Sequence, residues 1–67
     1  MQFSTMKKSL EIFEKYLNLD DEFFESDHDI IYGPDFDKLE KMTPEDKKIL
    51  EDELNWFEDD GYWSHHC

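Results

Sequence analysis

His65, His66 and Cys67, with His28 set between Asp27 and Asp29, are the side chains of this sequence best suited to hold a transition metal. Structural zinc sites draw four ligands from spaced pairs of the C-x2-4-C or H-x3-5-H kind. Three consecutive residues point in different directions, so the spacing predicts no metal site and no cofactor. A calcium loop starting at Asp27 fails for a different reason. It places Ile31 at the fifth position and Lys38 at the twelfth, where an EF-hand needs oxygen ligands. Paired carboxylates can exchange protons, but that work needs a concave pocket that perturbs a pKa, and 67 residues leave little room for one. Gly33 and Gly61 are the only glycines, no CxxC occurs, and no serine or cysteine stands in an activating arrangement. The residues read as those of a protein that is not an enzyme.

Charge is the stronger signal. Nineteen Asp and Glu residues face seven lysines and no arginine, for a net charge of −12. The excess is concentrated: residues 1–19 carry +1, residues 20–37 carry −8 with no lysine among them, and residues 38–67 carry −5. Nucleic acids are bound largely by neutralising phosphates with Lys and Arg. This chain repels them, and it repels anionic membrane surfaces for the same reason. Eight like charges in eighteen residues also oppose compaction, which argues for a role beyond solubility. Eleven aromatic residues and 37% hydrophobic content nevertheless predict a folded chain.

The elements that would carry these charges read as helices. Met6, Leu10, Phe13 and Leu17 recur at i, i+4, i+7 and i+11, flanked by Ile12 and Tyr16, and predict an amphipathic helix over about 5–19 capped by Ser4 or Thr5. Thr43-Pro44-Glu45-Asp46 supplies a capping hydroxyl, a proline in the first turn and carboxylates where the helix dipole favours them. A second helix is predicted from 44 to about 59, with Leu50, Leu54 and Phe57 inward and Gly61 as its left-handed stop. Asp59 and Asp60 then oppose the dipole at a cost of about 0.3–1 kcal/mol each, which points to another use for them. Between the helices, a helical turn at 20–25, a loop or short extended piece at 29–32, a turn at Gly33-Pro34 and a short helix within 35–42 complete an all-α domain of two longer helices and an acidic connector. The whole of 1–67 forms one domain, since a chain this short supports a single core, and 62–67 reads as a flexible C-terminal tail.

Cys67 is the only cysteine, so no intramolecular disulfide can form. Ser9-Leu10-Glu11 follows Lys7-Lys8 where an export signal would begin its apolar run. Both predict a cytoplasmic protein; a monomer or weak homodimer is the expected assembly.

In size, acidity, absence of arginine and absence of cysteine pairs, the chain resembles the acidic DNA-mimic inhibitors encoded by phages, including many anti-CRISPR and anti-restriction proteins. The resemblance lies in composition over the whole chain and in no motif. It implies a binder of the basic nucleic-acid groove of a larger protein. The carboxylates of Asp20, Asp21, Glu22, Glu25, Asp27, Asp29, Asp35 and Asp37 would stand in for phosphates, Glu58, Asp59 and Asp60 would form a second patch, and Phe23 or Phe24 would be apolar anchors. Tyr62 and Trp63, beyond the helix stop, are further candidates for exposed anchors. The rival expectation is an adaptor or transcription regulator whose helix face and Tyr62-Trp63 dock an apolar groove, with charge serving solubility.

Overall fold

Two short loops, His28-Asp29 and Asp60-Gly61, decide the architecture. In the computed structural model, which describes residues 1–66, each loop closes an antiparallel hairpin. Glu25–Asp27 (β1) pairs with Ile30–Asp35 (β2), and Phe57–Asp59 (β3) pairs with Tyr62–His66 (β4). Asp60 and Gly61 both have positive φ, 54° and 85°, as a two-residue type I′ loop requires. His28 takes φ 55° at the first position of the other loop. β2 then pairs with β4, so the hairpins join into one four-stranded antiparallel sheet of order β1-β2-β4-β3. The fold is mixed α/β, which corrects the all-α expectation.

Each predicted helix exists in shortened form. Phe3–Phe13 (α1) starts after Gln2 and not after Ser4 or Thr5. It ends where the amides of Lys15 and Tyr16 bond three residues back, to Ile12 and Phe13, in a tightened turn that carries Tyr16 and Leu17 onto the core. Asn18 then caps a 3₁₀ turn over Leu19–Asp21 by accepting from the Asp20 N–H. Phe36–Leu39 is a second 3₁₀ turn, with Leu39 buried.

Pro44–Lys48 (α2) starts as predicted, with Thr43 Oγ1 accepting from the Asp46 N–H at 3.2 Å. It continues as a π-turn through Ile49–Glu53 and stops there, short of Asp59. Asn55 is the reason. It sits at φ 62°, a left-handed conformation that a short polar side chain tolerates, and the following Trp56 N–H donates back to the Leu50 carbonyl at 2.8 Å. The chain then leaves as β3. The segment expected to be a tail is strand β4 over Tyr62–His66, paired on both sides; Cys67 lies outside the described residues.

Gly33 and Pro34 do not form a turn. They occupy a bulge in β2, where the register with β4 slips between Tyr32↔Ser64 and Asp35↔Tyr62. A bulge is where a strand accepts proline. Gly33 is needed for close approach: a Cβ there would lie 3.0 Å from the Trp63 carbonyl oxygen and 3.0 Å from the Trp56 ring.

α1, α2 and the π-turn pack on one face of the sheet around Ile12, Phe13, Leu39, Leu50, Leu54, Trp56 and Trp63. Trp56 ties the layers together. Its ring meets Phe13 edge-on at 5.3 Å, and its Nε1–H donates to the buried Ser9 Oγ at 2.7 Å, whose own O–H donates to the Thr5 carbonyl. A second tie joins the end of α1 to the start of α2, where Asp46 accepts from Tyr16 Oη and from Lys15 Nζ. Among the described residues no helix is long and apolar enough to cross a membrane.

Candidate partner-binding face

Residues paired across a sheet share a face, and successive residues along a strand alternate. The row Ser26–Ile31–His65 and the neighbouring Trp63 therefore face the helices. Trp63 is 2% exposed, stacks on Phe36 at 4.9 Å, and lies beside His65, whose Nε2 meets the Leu54 carbonyl at 2.7 Å. The opposite face carries Glu25, Tyr32, Ser64 and Phe57 in one row, Asp27, Ile30 and His66 in the next, and, past the bulge, Asp35, Tyr62 and Asp59. The helices pack on the other side. Tyr62 is 43% exposed on this face, and its ring meets Tyr32 edge-on at 6.3 Å.

Carboxylates from both hairpins converge on Tyr32. Burial pushes its phenol above the ordinary tyrosine value, and the charges of Asp59, Asp27 and Asp60 push it further. An open pocket of about 320 Å³ beside it is lined by Phe23, Glu25, Tyr32, Gly33, Asp60 and Tyr62. No cation offsets these acids from within the sheet. All seven lysines, at 7, 8, 15, 38, 41, 47 and 48, fall outside the strands. The sheet is anionic, and the positive charge rides on the helices and their connections.

The raised phenol gives a direct check of this convergence. In an alkaline spectrophotometric titration Tyr32 is expected to ionise later than free tyrosine. Tyr32→Phe removes that late component, and Asp59→Asn with Asp60→Asn moves it back toward the ordinary value without fully restoring it, because burial remains. The sign follows from linkage: a raised folded-state value gives stability that is complete below the ordinary tyrosine pKa and is lost as pH rises through the folded one. Identical titrations of the parent and the double Asn variant would show that the two hairpins' charges do not meet.

The expected site residues therefore divide. Glu25, Asp27, Asp35, Asp59, Asp60 and Tyr62 come together on the open face although 24 to 37 positions separate those of the first hairpin from those of the second. Asp20 and Asp21 are exposed on the 3₁₀ turn ahead of β1, Asp29 lies in the first hairpin loop, and Asp37 lies on the second 3₁₀ turn. Glu22 is held by Lys38 at 3.2 Å, and Glu58 accepts from the Gly61 N–H at 3.1 Å, steadying the second loop. Phe23 and Phe24 are 85% and 66% exposed. Trp63 is buried in the core and is no exposed anchor. Tyr32, the centre of the arrangement, did not stand out in the sequence; its signal is a tyrosine two positions into the strand that follows Asp27-His28-Asp29.

His28 stands exposed in the first hairpin loop, while His65 and His66 lie on opposite faces of β4. Among the described residues no group of three or more His, Cys, Asp or Glu side chains could hold a metal ion. Comparison of the chain with protein-family models, with curated proteins and with solved structures finds no match in any of the three.

Proposed function

We propose that this protein is a non-enzymatic, cytoplasmic inhibitor that occupies the basic nucleic-acid-binding groove of a larger protein, its open sheet face standing in for a phosphate backbone. One observation carries the reading: Glu25 and Asp27 of one hairpin and Asp59 and Asp60 of the other are gathered around Tyr32 and Tyr62 on one face of a sheet that bears no lysine. Ordinary solubility would be served by carboxylates dispersed among lysines, as on α2. Segregating them onto one face concentrates a negative potential, which steers encounter with a positive surface and orients the docked complex. A sheet also holds its side chains at fixed spacing, so little ordering remains to be done on binding.

The test is affinity capture from a bacterial lysate on the immobilised full chain, eluted with a salt gradient, with a parallel column carrying Glu25→Gln, Asp27→Asn, Asp59→Asn and Asp60→Asn. Asn tolerates the left-handed backbone at position 60, so the loop survives the change. Recovery of a nucleic-acid-binding protein that elutes in moderate salt, competes with duplex DNA and passes through the variant column supports the proposal. Retention of the same partner through high salt on both columns overturns it. That outcome would favour the second reading, an adaptor docking through apolar side chains, for which the exposure of Phe23 and Phe24 is the supporting observation.

A further inference from the structure

Phe23 and Phe24 form the lip of a groove of about 270 Å³ whose other walls include Met6, Leu10, Ile31 and Pro34. Its lining is almost wholly hydrocarbon. Glu22, the one charged residue on it, is already paired with Lys38. Phe23 and Gly33 line both this groove, which lies on the helix side of β2 with Ile31, and the pocket formed by Glu25, Tyr32, Asp60 and Tyr62 on the open face, so the two adjoin around Phe23. The groove offers apolar walls, and the pocket offers two carboxylates set against two phenol rings. A guanidinium or ammonium group gains from both features of the pocket, by ion pairing and by lying against an aromatic ring.

We infer that this surface takes an amphipathic, arginine- or lysine-bearing segment of a partner protein, with a leucine-like side chain in the groove behind Phe23 and Phe24 and a cationic side chain in the Tyr32–Tyr62 pocket. Charge complementarity selects that occupant. A second copy of the chain would bring −12 against −12, and like-charged faces repel on approach. A purely apolar segment would desolvate Glu25 and Asp60 without pairing them. The inference rests on the acidic-face reading and adds an apolar anchor to it, fixing where along a basic surface the carboxylates come to rest.

The experiment is an NMR titration of the full chain with three capped peptides of equal length: one with leucines on one helical face and arginines on the other, one with the leucines changed to alanine, and one with the arginines changed to glutamine. The first peptide is expected to shift Met6, Leu10 and Phe23 together with Tyr32 and Tyr62. Loss of the leucines weakens binding roughly tenfold, and loss of the arginines weakens it by more than that. Phe24→Ala, which alters the groove and not the Tyr32–Tyr62 pocket, weakens the leucine-containing arginine peptide roughly tenfold and leaves the alanine-containing one unchanged, at an unchanged thermal midpoint, since the ring is exposed. Equal affinity for the leucine and alanine peptides, with shifts confined to Tyr32, Tyr62 and their acidic neighbours, overturns the groove inference and leaves the acidic-face reading standing. No binding by either arginine peptide overturns both. A chain that sediments as a dimer, and becomes monomeric when Phe23 and Phe24 are changed to alanine, overturns the inference by showing the groove covered by a second copy.

Discussion

Replacing Ser9 by alanine is expected to lower the free energy of unfolding by about 1–3 kcal/mol, the cost of leaving a buried donor without its acceptor. Ser9 and Trp56 are both buried, 47 positions apart in sequence, and the 2.7 Å bond between Ser9 Oγ and Trp56 Nε1 is where α1 meets the chain leaving the π-turn. Among the described residues nothing else accepts from that indole N–H. A domain of this length moves in thermal midpoint by roughly 4–8 °C per kcal/mol, so the effect falls well within calorimetric reach. The partner substitution makes the cause identifiable. Trp56→Phe alone leaves a smaller ring against Phe13 and Gly33 and is destabilising through packing. In a Ser9→Ala background the same change removes a donor already orphaned, so the double variant is less destabilised than the sum of the singles by about 1 kcal/mol or more. Strict additivity in urea denaturation would mean that the bond contributes nothing.

The start of the second helix was legible in the sequence, and the sheet was not. Thr43-Pro44 reads as a helix start because cap, proline and first-turn carboxylates act within four residues, and the structure places the capping bond there. The stop was misread because two local rules compete at Asp60-Gly61. A glycine after an apolar periodic run signals a left-handed helix cap, and an Asp-Gly between Phe57 and Tyr62-Trp63 signals a type I′ hairpin. The second rule governs here, since Asn55 has already closed the helix five residues earlier. β1 could not be read at all: Glu25-Ser26-Asp27 contains no apolar residue, so it shows no period, and β2 alone supplies its reason to be a strand. The candidate site inherits these limits. Its acids were visible as composition, but their meeting at Tyr32 depends on the pairing of β2 with β4, a contact between residues about 30 apart that no local pattern encodes. Trp63 was misplaced for the same reason: beyond a helix stop it is a free aromatic, and in the central strand of a sheet it is core.

Acid sensitivity should trace to one carboxylate among nineteen. Asp46 is buried at the start of α2, where the hydroxyl of Tyr16 donates to it at 2.5 Å and the Lys15 ammonium lies 3.2 Å away; Tyr16 Oη in turn accepts from the Thr43 N–H. The Tyr16 hydrogen bond holds the Asp46 carboxyl below its ordinary value of 3.8, with help from Lys15 and Thr43, against burial, which pushes it up. A carboxyl whose value is depressed on folding gives stability that is complete above the unfolded value and is lost as pH falls through the folded one. Asp46→Asn is therefore expected to destabilise the protein by about 1.5–3 kcal/mol at neutral pH, the range for hydrogen bonds to a charged group. Parent and variant should converge in acid. Tyr16→Phe removes the largest cause of the depression, so it should lower stability at neutral pH and raise the pH at which acid unfolding begins. The comparison must be made as a difference between parent and variant across pH. Protonating the eighteen other acids relieves the repulsion of the anionic sheet and shifts both curves together, and that shared shift cancels. A difference that stays constant from neutral pH into acid would remove Asp46 from this role and leave acid unfolding to the sheet charges. A difference that closes through the acid range assigns it to the junction that fastens α2 to α1, on the side of the molecule away from the open face.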